Sequence, residues 1–433
     1  MWLYTNFSEN TGACRAAGLA VRWDLSHALP RIRLDLDFSP SPSPEHPGLL
    51  IRDPYHYSDA MLVLPPVLAH ALQLFDGTHT DIELRAELVR MTGQLDVRDI
   101  VRNMLETLSA AGFLEDEHFF SIRDERRREF TDAPVREPAN AGSAYPAGPE
   151  ELRDTLNGYM QPQPPALAFP EADGLFGIAA PHVSPFGGWR SYRAAYSMLR
   201  PEHRDRTFVI LATSHYGQPD TFGLTRKTFR TPLGDCECDV DLVNRLEAAG
   251  GAISMEDYCH SFEHTVELQL IFLQHALGAN VRILPILCGA FVRSLLDGGA
   301  PEDTEGVKRF FGALADIRER EGNRLFWILG VDMAHMGERY GDGYPAHPGE
   351  GVMSAVEERD RKRIDRINES DAQGFWELVR PNHDDLKWCG AAPFYTFLKA
   401  APGAKGELLH YEQWDIDEQS TVSFAGMAFR KPS

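Results

Sequence analysis

From residue 175 to the C-terminus, short apolar runs alternate with stretches whose apolar residues recur at helical spacing, and few folds accept that order. The strand-like runs are LFGIAAPH (175–182), TFVILATSH (207–215), VRILPILCG (281–289), RLFWILGVDMAH (324–335), GELLHYEQW (406–414) and TVSFAGMAFR (421–430). Between them SYRAAYSMLR, DVDLVNRLEAAG, HTVELQLIFLQHALG, GVKRFFGALADIRERE and AVEERDRKRIDRINES have helical periodicity. Successive strand–helix–strand units bring strands side by side in parallel and lay helices over the faces. The expected class is α/β, with a central, mostly parallel sheet flanked by helices.

A chain of 433 residues is too long for one core of ordinary size, so a second domain is expected upstream. FSPSPSPEHPG (38–48) follows the alternating RIRLDLDF and sets off an N-terminal segment, 1–37. The charged run RDERRREFTDAPVREPAN (123–140) reads as an interdomain linker, bounded at 131–140. That leaves a small domain over 38–130 and a large one over 141–433. In the small one, PPVLAHALQLFDG, DIELRAELVRMTG and VRDIVRNMLETLSAAGFLE read as helices stopped at Gly77, Gly93 and Gly112. The alternating FLEDEHFFSI after them predicts a hairpin, so this part is expected to be a winged-helix-like α+β domain.

Charge narrows the partners. Across 45–130, nine Arg or Lys face sixteen Asp or Glu, which denies that domain the basic surface DNA reading needs. The whole chain carries a formal charge of -21, from 43 Lys plus Arg against 64 Asp plus Glu, so nucleic acid is an unsuitable partner. No apolar stretch approaches the ~18 residues of a membrane helix, and MWLYTNFSENTGACRAAG has no continuous apolar core of a secretory signal. A cytoplasmic protein without a membrane partner is expected. Six cysteines without a CxxC make no disulfide framework. Cys236 and Cys238, in GDCECD, either hold a soft metal or share one face of a strand.

In open α/β sheets, ligands collect beyond the carboxyl ends of the strands, where the connecting loops converge. Three of the expected strands end in histidine: His182, His215 and His335. One such residue is ordinary core; three in one domain point to a shared site. Imidazole binds Zn, Fe, Cu and Ni, and three protein ligands with open positions suit a catalytic or ligand-binding metal. His264 opens the helix HTVELQL with Glu267 one turn later on the same side, and so can turn its ring into the same cleft. Ser261 reads as the N-cap, which leaves His260 outside the helix, as an outer support or a surface residue. His264 is then expected to transfer protons rather than to form a metal pair with His260. Asp332, three residues before His335, is placed either to orient a ligand or to cap the following turn. Tyr145 in AGSAYPAG and Tyr216 beside His215 are candidate substrate contacts, with packing the alternative for Tyr145.

AGSAYPAGPEEL, AAPHVSPFGG, ILATSHYG, FRTPLGDCECD, HSFEHTVELQLIFLQ, GVDMAHMG and STVSFAGMAF occur in that order. With them, residues 141–430 resemble the Memo-like family, whose bacterial members are called AmmeMemoRadiSam system protein B. The resemblance implies a fold like that of class III extradiol dioxygenases, with a non-haem metal cleft. It puts His182, His215 and His335 on metal-binding positions and His264 on the general acid/base position of the dioxygenases. Three departures stand out: VSPFGGW where the family tends to have AGY followed by SGP, Ile271 for a customary proline, and His335 at a third metal position where some members carry Cys. Imidazole in place of thiolate implies a harder site, favouring Fe(II) or Zn(II) over Cu(I). In the small domain, LVLPPVLAHALQLFDGTHTDIEL and LSAAGFLE resemble PqqD-like domains, which present peptides to modifying enzymes.

The expected function is a mononuclear metal site in a dioxygenase-like cleft, with Fe(II) the first choice of ion and Zn(II) or Cu the alternatives. Iron with His264 as proton carrier would make the chain a non-haem oxidoreductase acting on a small-molecule or peptide substrate. A metal- or peptide-binding partner of a radical-SAM protein, without turnover, and a Zn-dependent hydrolase are the other readings. Whether the chain is an enzyme stays open at this stage.

Overall fold

A computed structural model describes residues 28–161 and 174–431, and its chain divides into two units between Asp132 and Ala133. Residues 1–27 of the expected N-terminal segment lie outside the described residues.

The first unit opens on an antiparallel sheet, Asp37–Pro40, Leu49–Arg52 and Met61–Leu64, paired in that order. The Pro-rich stretch at 38–48 is therefore no divider. It starts in a strand and turns back, with Ser41 N–H donating to Gly48 O at 2.9 Å, and Leu29 and Leu36 are buried in the same core as Ile51 and Leu62. Helices Pro66–Ala71, Asp81–Thr92 and Arg98–Ala110 follow. Thr80 starts the second with a capping box to Glu83, and Gly93 ends it in the left-handed conformation, φ 70°. The hairpin expected from FLEDEHFFSI does not form: Glu117–Asp132 is one helix. Phe119 and Phe130 are its buried residues, and Phe119 packs under the Arg33 guanidinium, 4.1 Å from the ring centre. Its polar positions are spaced for a helix face, which the alternating reading overlooked. The three strands precede the helices instead of closing them as a wing.

In the second unit four parallel strands form the centre of a twelve-stranded sheet, in the order Leu175–Ala180, Leu325–Gly330, Thr207–Thr213, Arg282–Cys288. The last two strands, Lys405–Asp417 and Ser420–Arg430, form a hairpin whose second arm pairs antiparallel with Leu175–Ala180. The central strands are buried on both faces, as helices on both sides require. Val209 and Leu211 face one apolar layer; Phe208, Ile210 and Ala212 face the other. Helices Glu305–Glu321, Val352–Asn368 and Ala391–Ala400 cover the first layer, and Pro185–Tyr196 and His264–Leu277 the second.

Residues 133–140 are not a free linker. Val135–Arg136 adds a strand to the large sheet beside Thr228–Thr231, and Arg136 is fully buried. Cys236 and Cys238 lie in the strand Gly234–Cys238, Cys236 buried and Cys238 with its thiol donating to the Thr225 carbonyl at 3.3 Å, so the CxC spacing is that of a strand; burial pushes both thiols up to about 12. Ser261 is not a helix cap: it sits in a 3-10 turn, Tyr258–Ser261, and Glu263 caps the helix through its own side chain.

Candidate metal centre

His182 and His215 each stand two residues beyond a central strand, and His264 starts the helix packed across those strand ends. Gly330 lets that helix come close, since a Cβ there would lie 2.7 Å from the Thr265 carbonyl oxygen. The three rings meet: centroid separations are 5.0 Å for His182–His215, 5.4 Å for His182–His264 and 5.2 Å for His215–His264. One ring nitrogen of each lies within 4.8 Å of the others, a grouping that could hold a metal ion.

The tautomers follow from the neighbours. His182 Nδ1 is 3.0 Å from the Gly330 carbonyl oxygen, and a carbonyl only accepts, so Nδ1 carries the proton and Nε2 faces the cluster. His215 Nδ1 lies 3.1 and 3.2 Å from the two Glu263 oxygens, and His264 Nδ1 lies 3.1 Å from Glu263 Oε1. One carboxylate, 2% exposed, thus orients two imidazoles and also accepts the backbone N–H of both residues, at 2.9 and 3.1 Å. Such outer carboxylates fix ring orientation at metal sites.

Cys389 completes the cluster. Its Sγ is 3.3 Å from His182 Nε2 and 3.7 Å from the Asp332 carbonyl oxygen. Two donors about 2.1 and 2.3 Å from one ion at a tetrahedral angle sit ~3.6 Å apart, close to what is found. The following Gly390 is required, because a Cβ there would lie 2.5 Å from the Asp332 carbonyl oxygen. Imidazoles whose Nε2 atoms face the cluster, beside a thiol at ligand spacing, fit a mononuclear site once those nitrogens are deprotonated.

Residues 136–428 match the family model described as Memo-like protein. The chain belongs to the Memo-like family. It is 28% identical over 385 residues to a MEMO1 family protein of Aquifex aeolicus, covering 88% of this chain and 95% of that one. MEMO1 family protein MK0963 of Methanopyrus kandleri is 29% identical over 307 residues, which is 68% of this chain and 99% of that one. MEMO1 family protein TK1477 of Thermococcus kodakarensis is 28% identical over 310 residues, 69% and 100%. These two archaeal relatives are hardly longer than the second unit. Among solved structures, an uncharacterized protein, JW3007, from Escherichia coli K12 superposes with a TM-score of 0.37 at 11% identity, over 59% of this chain and 99% of that one.

Electrostatics in this Memo-like site favour charged groups in spite of burial. Burial lowers the His182 pKa, but Asp332 and Cys389 outweigh it and push it up to about 9. His215 is more exposed, and the Glu263 carboxylate beside it raises its pKa well above the ordinary value against the desolvation around the ring. Burial alone would raise Cys389 and Glu263; the facing imidazoles hold both well below their usual ranges instead.

The other expected site residues take different places. His335 is not in the close group of three rings. Its Nδ1 donates to the carbonyls of Met333, 2.9 Å, and Lys387, 3.1 Å, and it reaches the cluster through its effect on the Cys389 thiol. Asp332 accepts the backbone N–H groups of His182 and Val183, 2.9 and 3.3 Å, and its other oxygen lies 3.4 Å from His182 Nε2. It therefore orients the His182 backbone and faces the metal-side nitrogen, while Gly330 holds the ring. Glu267 points away into a buried network: it pairs with Arg136 and accepts from Ala139 N, Asn140 N, Asn140 Nδ2 and the Tyr145 hydroxyl. Tyr145 is thereby a structural tie, its hydroxyl spent on Glu267. His260 belongs to the same region, with Nε2 donating to Gly223 O at 3.1 Å and its carbonyl accepting from Arg136 at 2.8 Å. Burial lowers its pKa and keeps it neutral. Tyr216 sits beside the His215 ring, 6.2 Å between centroids, and against Phe262 at 5.4 Å.

Sequence reasoning missed Cys389 and Glu263. Cys389 ends no strand; the available signal was a cysteine and a glycine just before a helix, a place that favours thiolate. Glu263 was passed over for Glu267, one turn into the helix. The thiolate thought replaced by His335 is supplied from elsewhere in the chain.

Proposed function

We propose that the second unit is a mononuclear metal protein acting on a small-molecule or peptide substrate, with a dioxygenase-like cleft; Fe(II) is the first choice for an all-imidazole set, and the Cys389 thiol brings Zn(II) and Cu level with it. The observation that carries this reading is the meeting of His182, His215 and His264 with their Nδ1 atoms already engaged, beside the Cys389 thiol. His182, His215 and Cys389 would hold the ion, with His335 an outer neighbour of the thiol. When bound, it would supply Lewis-acid or redox chemistry. His264 would take a proton from a substrate hydroxyl at Nε2, while Glu263 at Nδ1 stabilises the charge that this creates. The reading makes the chain an oxidoreductase of the non-haem type.

The test joins metal content of anaerobically purified protein with O2 consumption. His264→Ala should keep metal near the wild-type level and lose ~10²- to 10⁴-fold of turnover. Loss of metal in that variant would make His264 a ligand and remove the proton-transfer role.

One observation favours a second reading. A half-buried cysteine thiol held well below its usual range by the facing imidazoles suits Cu(I) or Zn(II), and a metal-binding partner of a radical-SAM protein needs no turnover. Copper or zinc in the purified protein, with no O2 uptake, would decide for it. For the acidic first unit, peptide docking in a winged-helix- or PqqD-like manner is the matching proposal, tested by peptide capture.

A further inference from the structure

The segment leading to Cys389 carries four residues in the left-handed region: Asn382, His383, Asp384 and Lys387 have φ of 52°, 57°, 58° and 55°. Asn, His and Asp tolerate it better than most L-residues, Lys387 does not, and three of the four are consecutive. Such a series persists only where the surroundings over-determine it. Those surroundings come from two buried charges on the helix Val352–Asn368: Asp360, 0% exposed, and Arg363, 1% exposed. Arg363 donates to Asp384 Oδ1 at 2.8 Å, and Asp384 Oδ2 accepts the Trp388 N–H at 2.8 Å. The indole Nε1 of Trp388 donates to Asp360 Oδ1 at 2.7 Å.

The second oxygen of Asp360 serves another strand. It accepts the Ser423 hydroxyl at 2.6 Å and the Tyr411 hydroxyl at 2.8 Å, and Ser423 Oγ in turn accepts the Ala334 N–H at 2.9 Å. One carboxylate thus reaches the residue before Cys389 and, through Ser423, the residue before His335. Anchoring the helix does not require this, since Met353, Val356, Ile364 and Ile367 already bury its apolar face.

We propose that Asp360 is a positioning residue for the metal centre: by bonding the Trp388 indole and the Ser423 hydroxyl at once, it sets where the Cys389 thiol stands relative to the imidazoles. This rests on the reading of Cys389 as a metal ligand. The carboxylate itself touches neither metal nor substrate.

The test uses Co(II) added to the metal-free full chain, read by the near-ultraviolet thiolate-to-cobalt band, by competition with a chelator and by thermal unfolding. Cys389→Ser should abolish the band. Asp360→Asn and Trp388→Phe should weaken or shift it and loosen Co(II) binding by ~10- to 100-fold. Ile364→Val, a change on the same buried helix face, should lower the melting temperature and leave band and affinity unchanged. If Asp360→Asn does not fold, Trp388→Phe, which keeps an aromatic ring in place, decides. A band and affinity unaltered in both variants, with Cys389→Ser negative, overturns the role of Asp360 and leaves the metal reading standing. A band that survives Cys389→Ser, or a wild-type chain that binds no Co(II), overturns both.

Discussion

The thiol of Cys389 lies 3.3 Å from Nε2 of His182, across 207 residues of sequence. Each group changes the other: the thiolate helps raise the imidazole to about 9, and the imidazole helps hold the thiol well below its usual range. Under the proposed function the pair would offer an ion mixed nitrogen and sulfur donors, softer than three imidazoles.

Cys389→Ser should therefore weaken Zn(II) and Cu(I) binding more than tenfold, with a smaller loss for harder ions. Competition with a chromogenic chelator measures each. Equal losses for all ions would mean that the thiol does not bind metal directly.

Glu263→Gln should lower metal affinity ~10- to 100-fold, because glutamine offers one acceptor where the carboxylate holds Nδ1 of both His215 and His264. The metal-free variant should also show His215 titrating at lower pH, as its counter-charge is gone. An imidazole titration unchanged by the substitution, followed by NMR, would contradict the shared-carboxylate arrangement.

Metal binding should depend steeply on pH. His182 and His215 must each lose a proton to bind, so the apparent affinity should fall as pH drops through about 9, by at least tenfold per pH unit. For the metal-free protein the sign is the opposite in pH. The folded-state pKa is raised from 6.5, so this contribution to stability is fully present below about 6.5 and is lost as pH rises through about 9. Zinc-buffer titrations and thermal unfolding at several pH values, repeated with His182→Ala, separate the two effects.

Glu267→Ala should cost about 3 to 5 kcal/mol of stability, because it leaves the Arg136 guanidinium buried and unpaired. Metal affinity should change by less than about twofold, since the carboxylate bonds the 136–145 segment and no ring of the centre. A melting temperature near wild type, or lost metal, would contradict this assignment.

Much of the second unit was readable from local pattern. The six apolar runs became strands, five with ends within a few residues of those expected, because period and length are set by neighbours in sequence; RLFWILGVDMAH stops as a strand at Gly330, and His335 begins a separate one, His335–Gly337. Local reading failed where two patterns competed. FLEDEHFFSI alternates over a few residues and still joins a helix of sixteen, whose buried positions are Phe119 and Phe130. The linker reading failed for a related reason: charge suggested solvent, yet Arg136 is buried because Glu267 lies there to receive it.

The sequence by itself determined the α/β alternation and put His182 and His215 at strand ends, since a parallel sheet delivers its carboxyl ends to one edge. Only the tertiary structure decided that Glu263 and not Glu267 faces the histidines, because that depends on how the start of one helix lies across the sheet. The same holds for Cys389 beside His182 and for His335 one step removed. Contacts over 207 residues leave no mark on local periodicity; they arise when buried partners compete for the few donors and acceptors that packing has brought within reach.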